Sequence, residues 1–241
     1  MFDHVTIRVS DRAASERFYE TVLAVIGIDE THSGEQFTEW DDFSLAAASA
    51  WNPVTRGLHI GFGASSRERV DEFWQAGIDA GYESDGEPGP RTEYRDDYYG
   101  GFLLDPDGNS AEAVHFENVR RGVDHVWIRV RDVETSKRFY ETIAPHARFR
   151  VTTDTPERVQ FTSDGPGSFS VLSADHVTEA VHMAFAARDD RSVDDFHQAA
   201  TEAGYRDNGQ PGERTAYHTG YYSAYALDPD GHNIELVNHN R

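Results

Sequence analysis

The 241-residue chain contains no cysteine. That single absence removes disulfides, thiolate metal ligands and cysteine nucleophiles together. Lysine is almost missing as well: Lys137 is the only one among 22 basic residues, which face 43 acidic ones for a formal net charge of -21. Such a charge repels phosphate backbones and anionic lipid surfaces, so neither nucleic acid nor a membrane surface is an expected partner. No apolar run approaches the roughly 20 residues of a membrane span, and no opening stretch resembles a secretion signal, so the expected compartment is the cytoplasm. The acidic residues are dispersed along the chain instead of gathered in a tail. That pattern resembles proteins of salt-loving microbes, and the plainer reading is an acidic soluble protein.

What the chain does have is a 38% hydrophobic and 12% aromatic content, enough for packed cores, and an internal repeat. "FDHVTIRVSDRAASERFYETVL" returns as "VDHVWIRVRDVETSKRFYETIA", with His4 matching His125 at an offset of 121 residues. "GLHIGFGASSRERVDEFWQAGIDAGY" returns as "AVHMAFAARDDRSVDDFHQAATEAGY", and the two Asp-Pro-Asp-Gly turns follow, at an offset of 123. The chain is a tandem duplication joined near residues 117 to 122, which divides it into expected domains 1–118 and 119–241.

Each repeat divides again into two units of strand, helix and three short strands. Val5, Ile7 and Val9 alternate as in a strand, and the segment after Asp11 carries Ala14, Phe18, Val22 and Leu23 at helical spacing. Leu58, Ile60 and Phe62 open the second unit, whose helix carries Val70, Phe73, Trp74 and Ile78 and stops at Gly81. The expected fold class is α+β, with four βαβββ modules, two per domain.

Alternation assigns the polar residues to the strand faces away from the helices: His4 opposite Val5, His59 opposite Leu58 and Ile60, and Glu112 opposite Ala111 and Ala113. His125, His182 and Glu235 repeat the pattern. Each glutamate sits in a short apolar run, where a charge needs a partner. Two imidazoles and a carboxylate on one side of a divalent ion form a facial triad that leaves positions open. The expected sets are His4, His59 and Glu112, then His125, His182 and Glu235. The plainer alternative is that each histidine is a hydrogen-bonded strand residue and each glutamate pairs with an arginine such as Arg8 or Arg129. Recurrence in both copies favours the metal, since Thr6, Gly61 and Ser110 differ from Trp127, Ala184 and Asn233.

The opening "DHV", the helical "RFYET", the mid-domain histidine strand and the closing "LDPDGNxxE" resemble the vicinal oxygen chelate superfamily of glyoxalases, extradiol dioxygenases and fosfomycin- and bleomycin-resistance proteins. The resemblance implies paired βαβββ modules on curved sheets around clefts, a small-molecule substrate, and a divalent cofactor at the two triads, with Fe(II) favoured and Mn, Co, Ni or Zn as alternatives. It leaves the oligomeric state open. Glyoxalase I adds a fourth ligand, a glutamate, where this chain reads "FSLAAAS" and "FSVLSAD". Three ligands are closer to the extradiol dioxygenases, which place a tyrosine ten residues before the glutamate. Tyr225 holds that spacing before Glu235, and Phe102 stands in its place in the first repeat. The resemblance also implies a second-sphere acid or base, for which His218 is the nearest candidate, ahead of Tyr94 and Tyr217. Fosfomycin transferases resemble the first copy in a threonine two residues past the first histidine, as in Thr6, but Trp127 breaks that pattern. The expected function is thus a metal-dependent, extradiol-type dioxygenase. The alternatives are a drug-binding protein without chemistry and a glyoxalase-like lyase.

The remaining histidines, His32, His115, His146, His176, His197 and His232, read as surface residues, and the closing "NHNR" as a frayed end. The tyrosine-rich "GPRTEYRDDYYGG" and "GERTAYHTGYYSA" read as loops entering strands, with their tyrosines either lining the cleft or packing in the core.

Overall fold

The computed structural model describes residues 1–240 and contains the four βαβββ modules in chain order. The first is β1 (Phe2–Val9), α1 (Arg12–Val25), β2 (His32–Ser33), β3 (Thr38–Trp40) and β4 (Phe43–Ala47). The second is β5 (His59–Gly63), α2 (Arg67–Asp79), β6 (Ser84–Pro90), β7 (Tyr99–Leu104) and β8 (Ser110–His115). The third is β9 (Val123–Val130), α3 (Val133–Ala147), β10 (Phe149–Asp154), β11 (Arg158–Ser163) and β12 (Ser168–Ser173). The fourth is β13 (His182–Ala186), α4 (Asp190–Glu202), β14 (Arg206–Glu213), β15 (Tyr222–Leu227) and β16 (Asn233–Asn238). Each helix begins at a side-chain cap: Asp11, Ser66, Asp132 and Asp189 each accept a hydrogen bond from the backbone N–H three residues on.

The strands form two eight-stranded sheets, in the orders β14-β15-β16-β13-β1-β4-β3-β2 and β10-β11-β12-β9-β5-β8-β7-β6. The first strand of every module therefore lies at the centre of a sheet, beside the first strand of another module. The pairing is not between sequence neighbours. The fourth module joins the first and the second joins the third, which corrects the expectation that modules pair within each repeat. The physical reason is that a lone module leaves its first strand as an unpaired edge. Any other first strand satisfies that edge, and nothing in the local period says which one will.

Two compact units result: Thr6–Trp127, and Met1–Val5 with Ile128–Arg241. They follow the two repeats except that each takes the opening residues of the other's first strand. Within the first unit, Val9, Phe18, Tyr19, Val22, Phe43, Phe62 and Phe73 are fully buried. Val130, Phe139, Tyr140, Phe161, Phe169, Phe185 and Phe196 do the same in the second. The polar strand faces are left to line the site.

The Asp-Pro-Asp-Gly turns are tied to this packing. Asp105 Oδ1 accepts the N–H groups of Asp107 and Asn109 at 2.9 and 2.8 Å, and its Oδ2 accepts the Tyr19 hydroxyl at 3.0 Å. Asp228 does likewise, with Tyr140 at 3.0 Å. Gly108 and Gly231 close the turns at φ +82° and +93°, where a side chain would be strained. His232 takes the place of Asn109 in the second turn. It is fully buried instead of on the surface, because that position lies under the turn, with its Nδ1 facing the Val181 N–H at 3.3 Å.

Candidate metal centre

In β5, Gly61 lies opposite Glu112 of the parallel strand β8 and opposite His125 of the antiparallel strand β9. This register brings His59, Glu112 and His125 together. His59 Nε2 is 3.0 Å from His125 Nε2 and 3.0 Å from Glu112 Oε2, and His125 Nε2 is 3.1 Å from the same oxygen. Their counterparts, His182 and Glu235 from β13 and β16, are joined by His4 of β1. There the separations are 3.1 Å between His4 Nε2 and His182 Nε2, 3.1 Å from His182 to Glu235 Oε2, and 3.6 Å from His4 to Glu235 Oε2.

The six residues named from the sequence thus form two triads, but His4 and His125 have exchanged places relative to the expected sets. His4 joins His182 and Glu235, and His125 joins His59 and Glu112. The cause is the pairing of first strands already described.

These distances fit a divalent ion. Ligands about 2.1 Å from a metal and at right angles to one another stand about 3.0 Å apart. The outer hydrogen bonds fit too. A histidine that gives Nε2 to a metal carries its proton on Nδ1 and needs an acceptor there. His125 Nδ1 meets Asp124 at 2.9 Å, His4 Nδ1 meets Asp3 at 2.9 Å, and His59 Nδ1 meets the Ser110 hydroxyl at 3.1 Å. His182 Nδ1 instead meets the side-chain amide nitrogen of Asn233 at 2.7 Å, and the Asn233 oxygen accepts from Asn208 at 2.8 Å. The glutamates are held in the same way. Tyr98 donates to Glu112 Oε1 and Tyr221 to Glu235 Oε1, each at 2.8 Å, so each carboxylate presents Oε2 to the imidazoles. These two tyrosines come from the stretches in which lining and packing were equal readings, and they mark the residue types the sequence left unassigned.

Burial alone would push the Glu112 carboxyl up, but hydrogen bonds from His125 and His59 outweigh it and hold it down at about 2. Burial also opposes a charge on His125, yet Asp124 and Glu112 lift it to about 10. Glu235 is lowered for the same reasons, with His182 and His4 overcoming its burial. Burial and the adjacent glutamates push Tyr98 and Tyr221 up, so both remain hydrogen-bond donors.

The two triads differ in cover. The Trp127 ring lies 5.0 Å from that of His59 and 5.7 Å from that of His125, with Tyr94 edge-on to Trp127 at 5.4 Å. Thr6 stands where Trp127 does in the other copy, its hydroxyl sharing a 2.8 Å hydrogen bond with Ser44. The side chains of His4 and His182 are 21% and 16% accessible, against 8% and 5% for His59 and His125. Tyr225 lies opposite Glu235 in the strand register, its ring 6.3 Å from His182 and its hydroxyl accepting from Ser223 at 3.0 Å. Phe102 holds the corresponding position beside His59, at 6.0 Å. His218 does not adjoin the triad directly. It reaches His4 through His239 and Asp3.

The profile of the Glyoxalase/Bleomycin resistance protein/Dioxygenase superfamily matches residues 1–113 and again 122–236. The chain belongs to that superfamily. Among solved structures it is similar to glyoxalase I from Zea mays, at 19% identity and a TM-score of 0.72 over 99% of this chain and 92% of that one. It is also similar to a putative dioxygenase from Bacillus subtilis subsp. subtilis str. 168, at 13% identity and a TM-score of 0.69 over 100% of this chain and 85% of that one. Both likenesses concern the fold. No curated protein matches the sequence.

Proposed function

We propose that the protein is a divalent-metal-dependent enzyme of the extradiol dioxygenase type, acting on a small oxygenated substrate at the His4, His182 and Glu235 triad. The observation that carries the reading is the triad itself: three ligands on one side, with no carboxylate on β4 or β12 to add a fourth. A bound ion would supply Lewis acidity and, as Fe(II), the redox chemistry that dioxygen requires. The protein's part is orientation. Asp3 holds the His4 ring, Tyr221 turns Glu235, and His4 and His182 are more accessible than His59 and His125. Burial and Glu235 push the Tyr225 hydroxyl up, so it stays protonated and able to donate to negative charge developing on a substrate oxygen. His218, the acid–base candidate of the sequence, stands behind this layer, separated from His4 by His239 and Asp3.

The test is turnover of a catechol panel after anaerobic reconstitution with Fe(II). Activity that falls about tenfold or more with Tyr225→Phe, and survives Glu112→Ala, supports the assignment. Activity that survives Glu235→Ala and is lost with Glu112→Ala moves the chemistry to the other triad. Failure to take up any of Fe, Mn, Co, Ni or Zn stoichiometrically favours a ligand-binding protein without chemistry. Isomerisation of thiol–aldehyde adducts without oxygen consumption favours the glyoxalase-like alternative.

A further inference from the structure

The His59, Glu112 and His125 triad lies among aromatic rings. Trp127 is tilted over both imidazoles, its ring 5.0 Å from His59 at 38° and 5.7 Å from His125 at 45°. Phe102 lies 6.0 Å from His59, and Tyr94 meets the indole edge-on at 5.4 Å. Tyr94 also packs on Tyr98, whose hydroxyl holds Glu112. Within this cluster the side chains of His59, Glu112 and His125 are 8%, 1% and 5% accessible.

The backbone is fitted to the same cluster. Gly61 of β5 and Gly100 of β7 stand where a Cβ would overlap the His125 ring and Glu112 Oε1, and the second repeat carries Ala184 and Ser223 at these positions. Each ligand is also held from behind: His59 by Ser110, His125 by Asp124 and Glu112 by Tyr98. An ion leaves such a site only when its ligands swing away or a competing ligand enters, and this packing opposes both. Closed sites are typical of structural metals, whereas a catalytic ion keeps a position open to substrate. The strands that carry the ligands, β9, β5 and β8, are neighbours within one sheet, so an ion here would tie three strands together.

We propose that the His59, Glu112 and His125 triad is a structural metal site, and that Trp127 is the cover that keeps its ion from exchanging. This goes beyond the catalytic reading of the other triad and shares with it the premise that the triads bind metal. The apolar shell around a metal controls the entry of water and competing ligands, and here the indole supplies that shell over both imidazoles. A chelating substrate would reach the ion only by displacing it. Tyr94, exposed in the segment between β6 and β7, backs the indole from outside. The first repeat has Thr6 at the position of Trp127, so the cover belongs to one triad by sequence.

Rates of Zn(II) release to excess EDTA test this on the full chain. After prolonged incubation with the metal, Glu235→Ala confines Zn(II) to the covered triad and Glu112→Ala confines it to the other. Release should be slower from the covered triad by roughly tenfold or more. In the Glu235→Ala chain, Trp127→Thr should erase most of that difference, while Trp127→Phe, which keeps a ring over the imidazoles, should preserve most of it. Tyr94→Ala, a change at an exposed position, should also speed release, and it decides the matter if Trp127→Thr does not fold. Nitrocatechol, whose absorbance shifts when a metal chelates it, should show no shift with the Zn(II)-loaded Glu235→Ala chain. Equal release from the two triads, release indifferent to Trp127→Thr and Tyr94→Ala, or chelation of nitrocatechol with Trp127 in place would each overturn the proposal. Zn(II) uptake at His4, His182 and Glu235 alone overturns it and leaves the catalytic reading standing, whereas uptake at neither triad overturns both.

Discussion

Gly61 lies between Glu112 and His125, and a Cβ there would overlap the His125 ring. Its counterpart is Ala184, buried in β13 opposite Glu235, and in that copy the imidazole from the neighbouring first strand stands 3.6 Å from the glutamate instead of 3.1 Å. The looser triad is the one whose central strand carries a methyl group at this position. Gly61→Ala should displace His125, cost about 1–3 kcal/mol of stability, and weaken metal at that triad alone, as thermal melts and metal titration would show. An unchanged affinity would mean that the ring has room to shift. The same residues set a pH dependence in the metal-free protein. Glu112 is lowered from 4.5 to about 2, so its contribution to stability is present above 4.5 and is lost as pH falls toward 2. His125 is raised from 6.5 to about 10, so its contribution is present below 6.5 and is lost as pH rises toward 10. Melting temperatures should therefore be highest between about 4.5 and 6.5 and decline on both sides, with a smaller decline on both sides in Glu112→Gln. A melting temperature that climbs through the alkaline range would contradict this.

At the scale of elements, most of the architecture was legible because it is local. Alternation in "FDHVTIRV", the helix that begins after Asp11, and the Asp-Pro-Asp-Gly turns each depend on a few neighbouring residues, and each appears where the sequence places it. The polar strand faces and all six triad residues were legible for the same reason. The choice of partner was not, since His4 carries the same neighbours whether its strand lies beside β5 or β13. Nor did the sequence show that the tyrosine of "RFYET" and the aspartate of the turn are hydrogen-bonded to each other, although both recur. That contact is testable. Tyr140→Phe leaves Asp228 Oδ2 buried without its donor and should cost about 1–3 kcal/mol, measured by denaturant unfolding. A loss below about 0.5 kcal/mol would mean that water replaces the hydroxyl.

Over the whole molecule, 43 acidic against 22 basic residues make self-repulsion a standing cost of folding. Screening should relieve it, so the melting temperature is expected to rise from low to molar salt, and a flat or falling trend would remove the salt-adapted reading. The larger consequence of the fold at this scale is that each triad takes one histidine from the other repeat's first strand. Metal stoichiometry in paired substitutions tests this most directly. The parent chain should bind two divalent ions, one for each triad. His4→Ala with Glu235→Ala removes two ligands from one triad and should leave one ion bound. His4→Ala with Glu112→Ala damages both triads and should leave none. The reverse result, with one ion retained by His4→Ala with Glu112→Ala and none by His4→Ala with Glu235→Ala, would return His4 to His59 and Glu112 and contradict the exchanged strands.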